Sequence, residues 1–344
     1  MAAVLVGTFV VAPGLLDRRT QHDGPVTTPT MVYDESQWQW IGLHTLEVRA
    51  PAGWGFQREV ERPDCIDPDE PDEIWGLGVP ASPYVTFTAV QQAVPQVACV
   101  APRPGNPDPA FGDLPYPLWQ PHVRLDAVRP EVSDQPDRTD GQWTFEGWHL
   151  ARRTFDDVQV TVLSAPGSPE LSGRVFGSAR TVETNDDGCD TTSPFGEGFP
   201  RPGGPDVPAG SDVGGVAVCE YVRLPGSEGL QGSWRMTGRE AQGLADAIRE
   251  APEGGGPDKP DDCSPDMWGD SAVVLRFLGV DDALLADAYV YTDWCFGNAI
   301  ATSTGVRTLT TANCLPVFSR PEVRWWSGKK AVGKLCSPGF TQTP

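Results

Sequence analysis

The chain has 344 residues, enough for two compact domains with a core in each. Its 38 Gly and 35 Pro predict many turns and exclude an all-helical fold, and its 12 Trp exclude a disordered chain. Lys plus Arg total 26 against 47 Asp plus Glu, a formal net charge of −21; such a field repels nucleic acid, anionic lipid headgroups and anionic wall polymers, and is compatible with neutral sugars, cationic peptides or Ca²⁺.

Residues 1–17 read as a signal or membrane-anchor segment. Ala2 to Leu16 carries no charge, and Arg18 and Arg19 follow. As a helix of about 16 residues it would span roughly 24 Å, short of the ~30 Å hydrocarbon core, and Pro13 would weaken its last turn. No basic residue precedes it. Three readings stand: an export or anchor segment whose basic start lies upstream of Met1, a short signal peptide, or a buried strand or helix. The polar, Pro/Thr-rich tether that follows, residues 18–37, favours the first.

A first unit is expected over 38–185. Leu43 to Arg49 alternates Leu46 and Val48 and runs into a Pro-Ala-Gly-Trp turn at 51–54. Tyr84 to Val90, Val97 to Val100, Trp143 to Ala151 and Val158 to Leu163 read as further strands, the last two forming a hairpin across Asp156-Asp157. Ser168-Pro169-Glu170 has the form of an N-cap, a first-turn proline and an acidic first turn, with Leu171, Val175 and Ala179 striping the helix behind it. Residues 186–214 are rich in Gly, Pro and Asp and read as a linker.

A second unit is expected over 215–318, with strands at Val216 to Arg223 and Gly229 to Met236. Thr237-Gly-Arg-Glu240 matches a capping box, and Ala241, Leu244, Ala245 and Ile248 give the following helix one apolar face. The hairpin Ala272 to Leu278 with Ala286 to Thr292, and a short segment near Val306 to Leu309, complete the unit; residues 319–344 form a tail. Strands outnumber helices and do not alternate regularly with them. The expected class is therefore α+β: two mainly antiparallel-sheet units, each with one packed helix.

The eight cysteines are Cys65, Cys99, Cys189, Cys219, Cys263, Cys295, Cys314 and Cys336. Their even number, wide spacing and lack of CxxC favour disulfides in an exported protein over zinc or thioredoxin-type chemistry. The expected hairpin places Cys263 and Cys295 near one end, which predicts Cys263–Cys295 and, by remainder, Cys219–Cys314; Cys65–Cys99 and Cys189–Cys336 complete the set, although spacing alone does not fix connectivity. With four His and no His pair at i+3 or i+4, no metal site or other cofactor is expected.

Other features have a functional and a bland reading. Gly328 to Leu335 is close to a P-loop, but Leu335 stands where the Mg²⁺-holding hydroxyl belongs. Ala301 to Gly305 is one residue from GxSxG. His44 is expected on a strand face in a structural role. The acidic runs Asp64 to Glu73 and Glu183 to Asp190 lack EF-hand spacing and read as solvated loops. Trp38 and Trp40 share a face if extended, and Trp325-Trp326 is a pair; these four are the candidate ligand-binding residues, since exposed rings stack on sugars.

Gly42-Leu-His-Thr-Leu-Glu-Val-Arg-Ala-Pro-Ala-Gly-Trp54, the pair Val158 to Leu163 and Leu171 to Thr181, and Val218-Cys219-Glu220-Tyr221 with Arg235-Met-Thr-Gly-Arg-Glu-Ala-Gln-Gly-Leu244 appear in an order that resembles a group of uncharacterised secreted or membrane-anchored actinobacterial envelope proteins, over roughly residues 40–320. The first unit also resembles the Mog1/PsbP-like α+β fold. The resemblance implies an extracytoplasmic location and disulfides, and no activity. The expected function is therefore a non-catalytic envelope protein with a binding or structural role. A carbohydrate- or peptidoglycan-binding module and a hydrolase are the alternatives. Expected partners are a neutral glycan or an envelope protein, the membrane only through the N-terminal segment, and no nucleic acid.

Overall fold

A computed structural model describes residues 37–56, 65–66, 74–75, 82–88, 119–128, 139–195, 201–222, 229–255, 271–292, 298–323 and 335–336. The class is α+β with sheet predominating. In the first unit, β1 (Trp38–Leu43) and β2 (Leu46–Pro51) form a hairpin, and β11 (Arg180–Thr181) adds to β2. The strands β3 (Gly55–Phe56), β6 (Tyr84–Thr88), β7 (His122–Ala127), β8 (Gly141–Phe145), β9 (Trp148–Phe155) and β10 (Val158–Ser164) form a six-stranded sheet in the order β3-β6-β7-β10-β9-β8. Its β3–β6 and β6–β7 pairs are parallel and the rest antiparallel. A small pair, β4 (Cys65–Ile66) with β5 (Ile74–Trp75), stands apart.

The period-2 pattern sorts this sheet into two faces. Val85, Phe87, Val123, Leu125, Val158, Val160 and Val162 point to one side, where they meet Ile41, Leu43, Leu46 and Val48 of the hairpin and Leu171 and Val175 of helix α1 (Glu170–Gly177). This is the first core. The opposite face carries polar and aromatic residues.

The expected single strand Trp143 to Ala151 is two strands. Glu146 and Gly147, both at positive φ (49° and 82°), make the tight turn between β8 and β9, the geometry that matches strand twist in a two-residue hairpin. The hairpin across Asp156-Asp157 is as expected, with Asp156 at φ 49°. Helix α1 begins one residue late: Pro169 holds the cap position and no side chain caps it, so Ser168 does not serve as the N-cap.

In the second unit, β12 (Gly215–Val222), β13 (Leu230–Thr237), β14 (Ser271–Leu278), β15 (Leu284–Tyr291), β16 (Ala299–Ala301) and β17 (Val306–Thr308) form an antiparallel sheet in the order β13-β12-β14-β15-β16-β17. Helix α2 (Gly238–Glu250) lays Ala241, Leu244, Ala245 and Ile248 on one face, against Val216, Val218, Trp234, Leu275, Phe277, Ala288 and Ile300. Thr237 occupies the N-cap as expected, but its side chain makes no capping bond. The reciprocal box forms instead at α3 (Thr311–Cys314), between Thr310 and Asn313.

The other face of this sheet is buried too. Ala217, Cys219, Tyr221, Val274, Tyr289 and Tyr291 pack against Cys189 and Phe195, which belong to the stretch expected to be a linker. In its described residues that stretch is a cover. Phe195 meets Tyr289 edge-on at 4.9 Å, Cys189 is bonded to Cys219, and Val207 and Val213 join the core on the helix side. A sheet buried on both faces needs such a cover, because Tyr221, Tyr289 and Tyr291 would otherwise face water.

The disulfides among the described residues are Cys189–Cys219 and Cys314–Cys336. They replace the expected Cys219–Cys314 and Cys189–Cys336 pairs: the cover brings Cys189 to within 5.7 Å (Cα–Cα) of Cys219, while α3 holds Cys314 4.9 Å from Cys336. The expected Cys65–Cys99 and Cys263–Cys295 pairs lie outside the described residues, apart from the backbone of Cys65. Among the described residues no helix is long and apolar enough to cross a membrane; the N-terminal run 1–17 lies outside them.

Candidate functional site

The outer face of the first sheet holds three rows of side chains, aligned by strand register. The first row runs Tyr84, His122, Leu163, Leu150, Trp143 across β6, β7, β10, β9 and β8. The second runs Thr86, Arg124, Thr161, Arg152, Gly141, and the third Asp126, Gln159, Thr154 across β7, β10 and β9. Thr86, Asp126, Gln159 and Thr161 are buried, whereas Arg124, Arg152, Trp143, Phe145 and Trp148 are partly exposed. The face thus passes from a closed polar floor to a more open aromatic edge.

At that edge the buried Trp119 sits edge-on to Phe145 (5.9 Å) and Trp148 (5.8 Å), and the cluster is completed by Leu150, Leu163 and Trp143. The Trp143 ring lies back over Gly141, where a Cβ would come within 2.9 Å of it, and the Arg152 guanidinium stands 5.4 Å from the ring centroid. Toward the floor, Arg124 Nε donates to Asp126 at 2.7 Å. The exposed Asp140 accepts from the Thr154 amide (2.9 Å) and hydroxyl (2.8 Å) and from Gln159 (3.3 Å). Burial pushes the Asp140 carboxyl up, but those bonds outweigh it and hold it below the usual range.

Tyr84 stacks on His122 at 5.0 Å. Burial, opposed by a bond to the Gln120 carbonyl and reinforced by the nearby Arg124, lowers the His122 pKa to about 4, so the ring is neutral at pH 7. Burial raises Tyr84 to about 12. The face therefore offers guanidinium, neutral imidazole, hydroxyl and amide groups beside aromatic rings.

A second polar cluster lies where the two units meet. His44 is in the β1–β2 turn at φ 51°, not on a strand face. Its amide donates to the Leu230 carbonyl (2.6 Å), its Nδ1 lies 2.6 Å from Asp157 Oδ2, and its Nε2 lies 3.0 Å from Gln231 Nε2. An imidazole donating through Nδ1 and accepting at Nε2 satisfies both neighbours, so His44 is structural. Beside it, Glu47 accepts from Arg180 Nε (2.8 Å) and from the Asp186 amide (2.7 Å). Ser233 donates to Asp187 (2.7 Å) and accepts from Asn185 (2.7 Å). Burial, with Asp186, Glu47 and Glu322 nearby, raises the Asp187 pKa to about 6 despite the Ser233 bond. The acidic run Glu183 to Asp190 is thus a built joint, and among the described residues no group of carboxylates, His or Cys is arranged to hold a metal ion.

The joint carries a first expected result. Arg180→Ala leaves the Glu47 carboxylate, 2% exposed, without its guanidinium. Losing one partner of a buried pair costs about 3–5 kcal/mol; because Arg180 is 42% exposed, a loss near 2 kcal/mol is expected, read as a lower urea midpoint at unchanged slope.

The tryptophans singled out from the sequence fall elsewhere. Trp38 packs against the first core. Trp40 has the Arg180 guanidinium 3.7 Å from its ring centroid and that of Arg49 at 4.9 Å. Trp325 and Trp326 lie outside the described residues, as do the near-P-loop except Leu335 and the acidic run Asp64 to Glu73 except the backbone at 65–66. In the near-GxSxG stretch, the Thr304 hydroxyl bonds Asp206 and that of Thr302 lies within reach of Gly305, so both serve a turn. Trp119, Trp143, Phe145 and Trp148 were missed; the available signal was Phe145-Glu-Gly-Trp148, two aromatics flanking a glycine turn. Comparison with protein-family models, with curated proteins and with solved structures finds no match to the chain.

Proposed function

We propose that the chain is a non-catalytic, extracytoplasmic binding protein that holds a neutral glycan on the outer face of its first sheet. The observation that carries this reading is the grouping of partly exposed Trp143, Phe145 and Trp148 beside Arg124 and Arg152. A sugar presents C–H faces that stack on aromatic rings and hydroxyls that need fixed donors and acceptors at their rim. The low His122 pKa suits a neutral ligand, since that ring adds no charge at pH 7. Disulfides at Cys189–Cys219 and Cys314–Cys336 support an oxidising compartment, and an anchored or secreted envelope protein fits them.

One observation favours a hydrolase: Ser233 lies 2.7 Å from Asp187, a carboxylate with a raised pKa. The same hydroxyl also accepts from Asn185, and all three residues belong to the joint, so we give this arrangement a structural role.

Chito-, cello- and manno-oligosaccharides titrated against the full chain, followed by tryptophan fluorescence and calorimetry, test the glycan reading. Saturable, salt-insensitive binding to at least one of them is expected. Trp143→Ala and Trp148→Ala should each weaken it about tenfold, about 1.4 kcal/mol, and Trp40→Ala should leave it unchanged. Absence of binding across all three series, or equal loss in the Trp40 variant, would overturn the proposal.

A further inference from the structure

In the second unit, a cavity of about 210 Å³ opens between Asp206-Val207, the C-terminal end of α2 at Ile248-Arg249, and the sheet edge at Thr302 and Arg307. It has room for roughly seven water-sized groups at ~30 Å³ each. We propose that it binds a small α-amino acid as the zwitterion, the carboxylate on Arg249 and Arg307 and the ammonium on Asp206.

The walls carry both signs of charge. Asp206 accepts from Thr304 Oγ1 (2.7 Å), and the Thr302 hydroxyl and Val207 amide also bond it. A carboxylate has about four lone-pair sites, so one remains for a ligand. Burial pushes the Asp206 carboxyl up, but these bonds and Arg307 outweigh it, so the group stays ionised. Arg307 is largely buried. Its contacts among the described residues are long, 3.4 Å to the Ala251 carbonyl and 3.8 Å to Glu253, which is 86% exposed. A guanidinium has five donors, and these two contacts leave most of them available.

The charged walls are two guanidiniums, Arg249 and Arg307, and one carboxylate, Asp206, so a simple anion would leave Asp206 unanswered and a simple cation would leave the guanidiniums unanswered, whereas a dipolar ligand meets both. The floor is fixed: Ile248 and Val207 belong to the core, and Arg201 donates to the carbonyls of Thr302 (3.2 Å) and Ser303 (3.4 Å), holding the turn in place. This site is separate from the glycan face and does not depend on it.

Calorimetry of the full chain with glycine and L-alanine tests the site, with acetate and methylammonium as single-charge probes. Saturable binding of the amino acids is expected, with acetate and methylammonium at least tenfold weaker. Arg307→Gln and Asp206→Asn should each reduce amino-acid affinity at least tenfold. Since both hold local structure, Arg249→Gln, on the exposed end of α2, is the variant that keeps the fold and should show the same loss. No saturable heat up to about 10 mM ligand, acetate binding as tightly as alanine, or unchanged affinity in the Arg249 variant would overturn the proposal.

Discussion

Replacing both Cys189 and Cys219 by alanine is expected to lower stability by about 4 kcal/mol, because the bond closes a loop with a sequence separation of 30. Both residues are fully buried, so losing the two sulfurs adds a cavity cost to that figure. The bond also holds more than two sulfurs. The segment that carries Cys189 sends the Asp190 carbonyl to the Tyr221 hydroxyl (2.5 Å), the Gly188 carbonyl to Arg276 (3.3 Å) and the Asp190 carboxylate to the same Arg276. It also presents Asn185 and Asp187 to Ser233. At roughly 4 °C per kcal/mol for a unit of somewhat over 100 residues, the double variant should melt about 15 °C lower. Hydrogen exchange should rise first over residues 182–195 and β12. An unchanged melting temperature would mean that the cover is held by packing alone.

The second large effect has the opposite sign. Asp187→Asn is expected to stabilise the protein above pH 6 and to change little at pH 3. Burial and the neighbouring Glu47, Asp186 and Glu322 raise the folded-state pKa to about 6, against an ordinary value of 3.8. A carboxyl whose folded pKa is raised carries no penalty when it is protonated in both states. The penalty grows as pH rises through the unfolded pKa and levels off above the folded one. At 1.36 kcal/mol per unit, the full penalty is up to about 3 kcal/mol. Asparagine retains an oxygen to accept from Ser233 and removes the charge. The measurement is the urea midpoint of both proteins at pH 3, 5, 6 and 8. The gap should open between pH 4 and 6, and a constant gap would assign the effect to something other than this ionisation.

Much of the fold was legible because local pattern and final environment agree. Leu171 and Val175, and Ala241, Leu244, Ala245 and Ile248, face the cores that their spacing predicts. The turn across Asp156-Asp157 forms where two β-rich runs meet. Legibility failed where long-range contact decided the outcome. A Gly/Pro/Asp-rich stretch has the composition of a linker whether or not a sheet face waits for it, and only the two-sided burial of β12 makes it a cover. Eight cysteines allow 105 pairings, and nothing local brings Cys189 to Cys219. Trp40 looked available because Arg180, 140 positions later, is invisible in its neighbourhood. The candidate binding face was hidden for the same reason: Tyr84, Arg124, Trp143, Arg152 and Thr161 are scattered over five strands, and register alone aligns them.

The cover over the second sheet is made before the sheet it covers. Cys189, Asp190 and Phe195 leave the ribosome ahead of every strand they pack against, and Arg276, which bonds the Gly188 carbonyl, follows 88 residues later. Until β12 arrives, the Cys189 thiol and the Phe195 ring have no site to occupy. Cys219 is the next cysteine in the chain, so the bond joins the segment to the first strand of the sheet that follows it. The order of residues along the chain thus makes closure of the cover a late step, because its contacts reach β12, β14 and β15 and are complete only when all three strands are present.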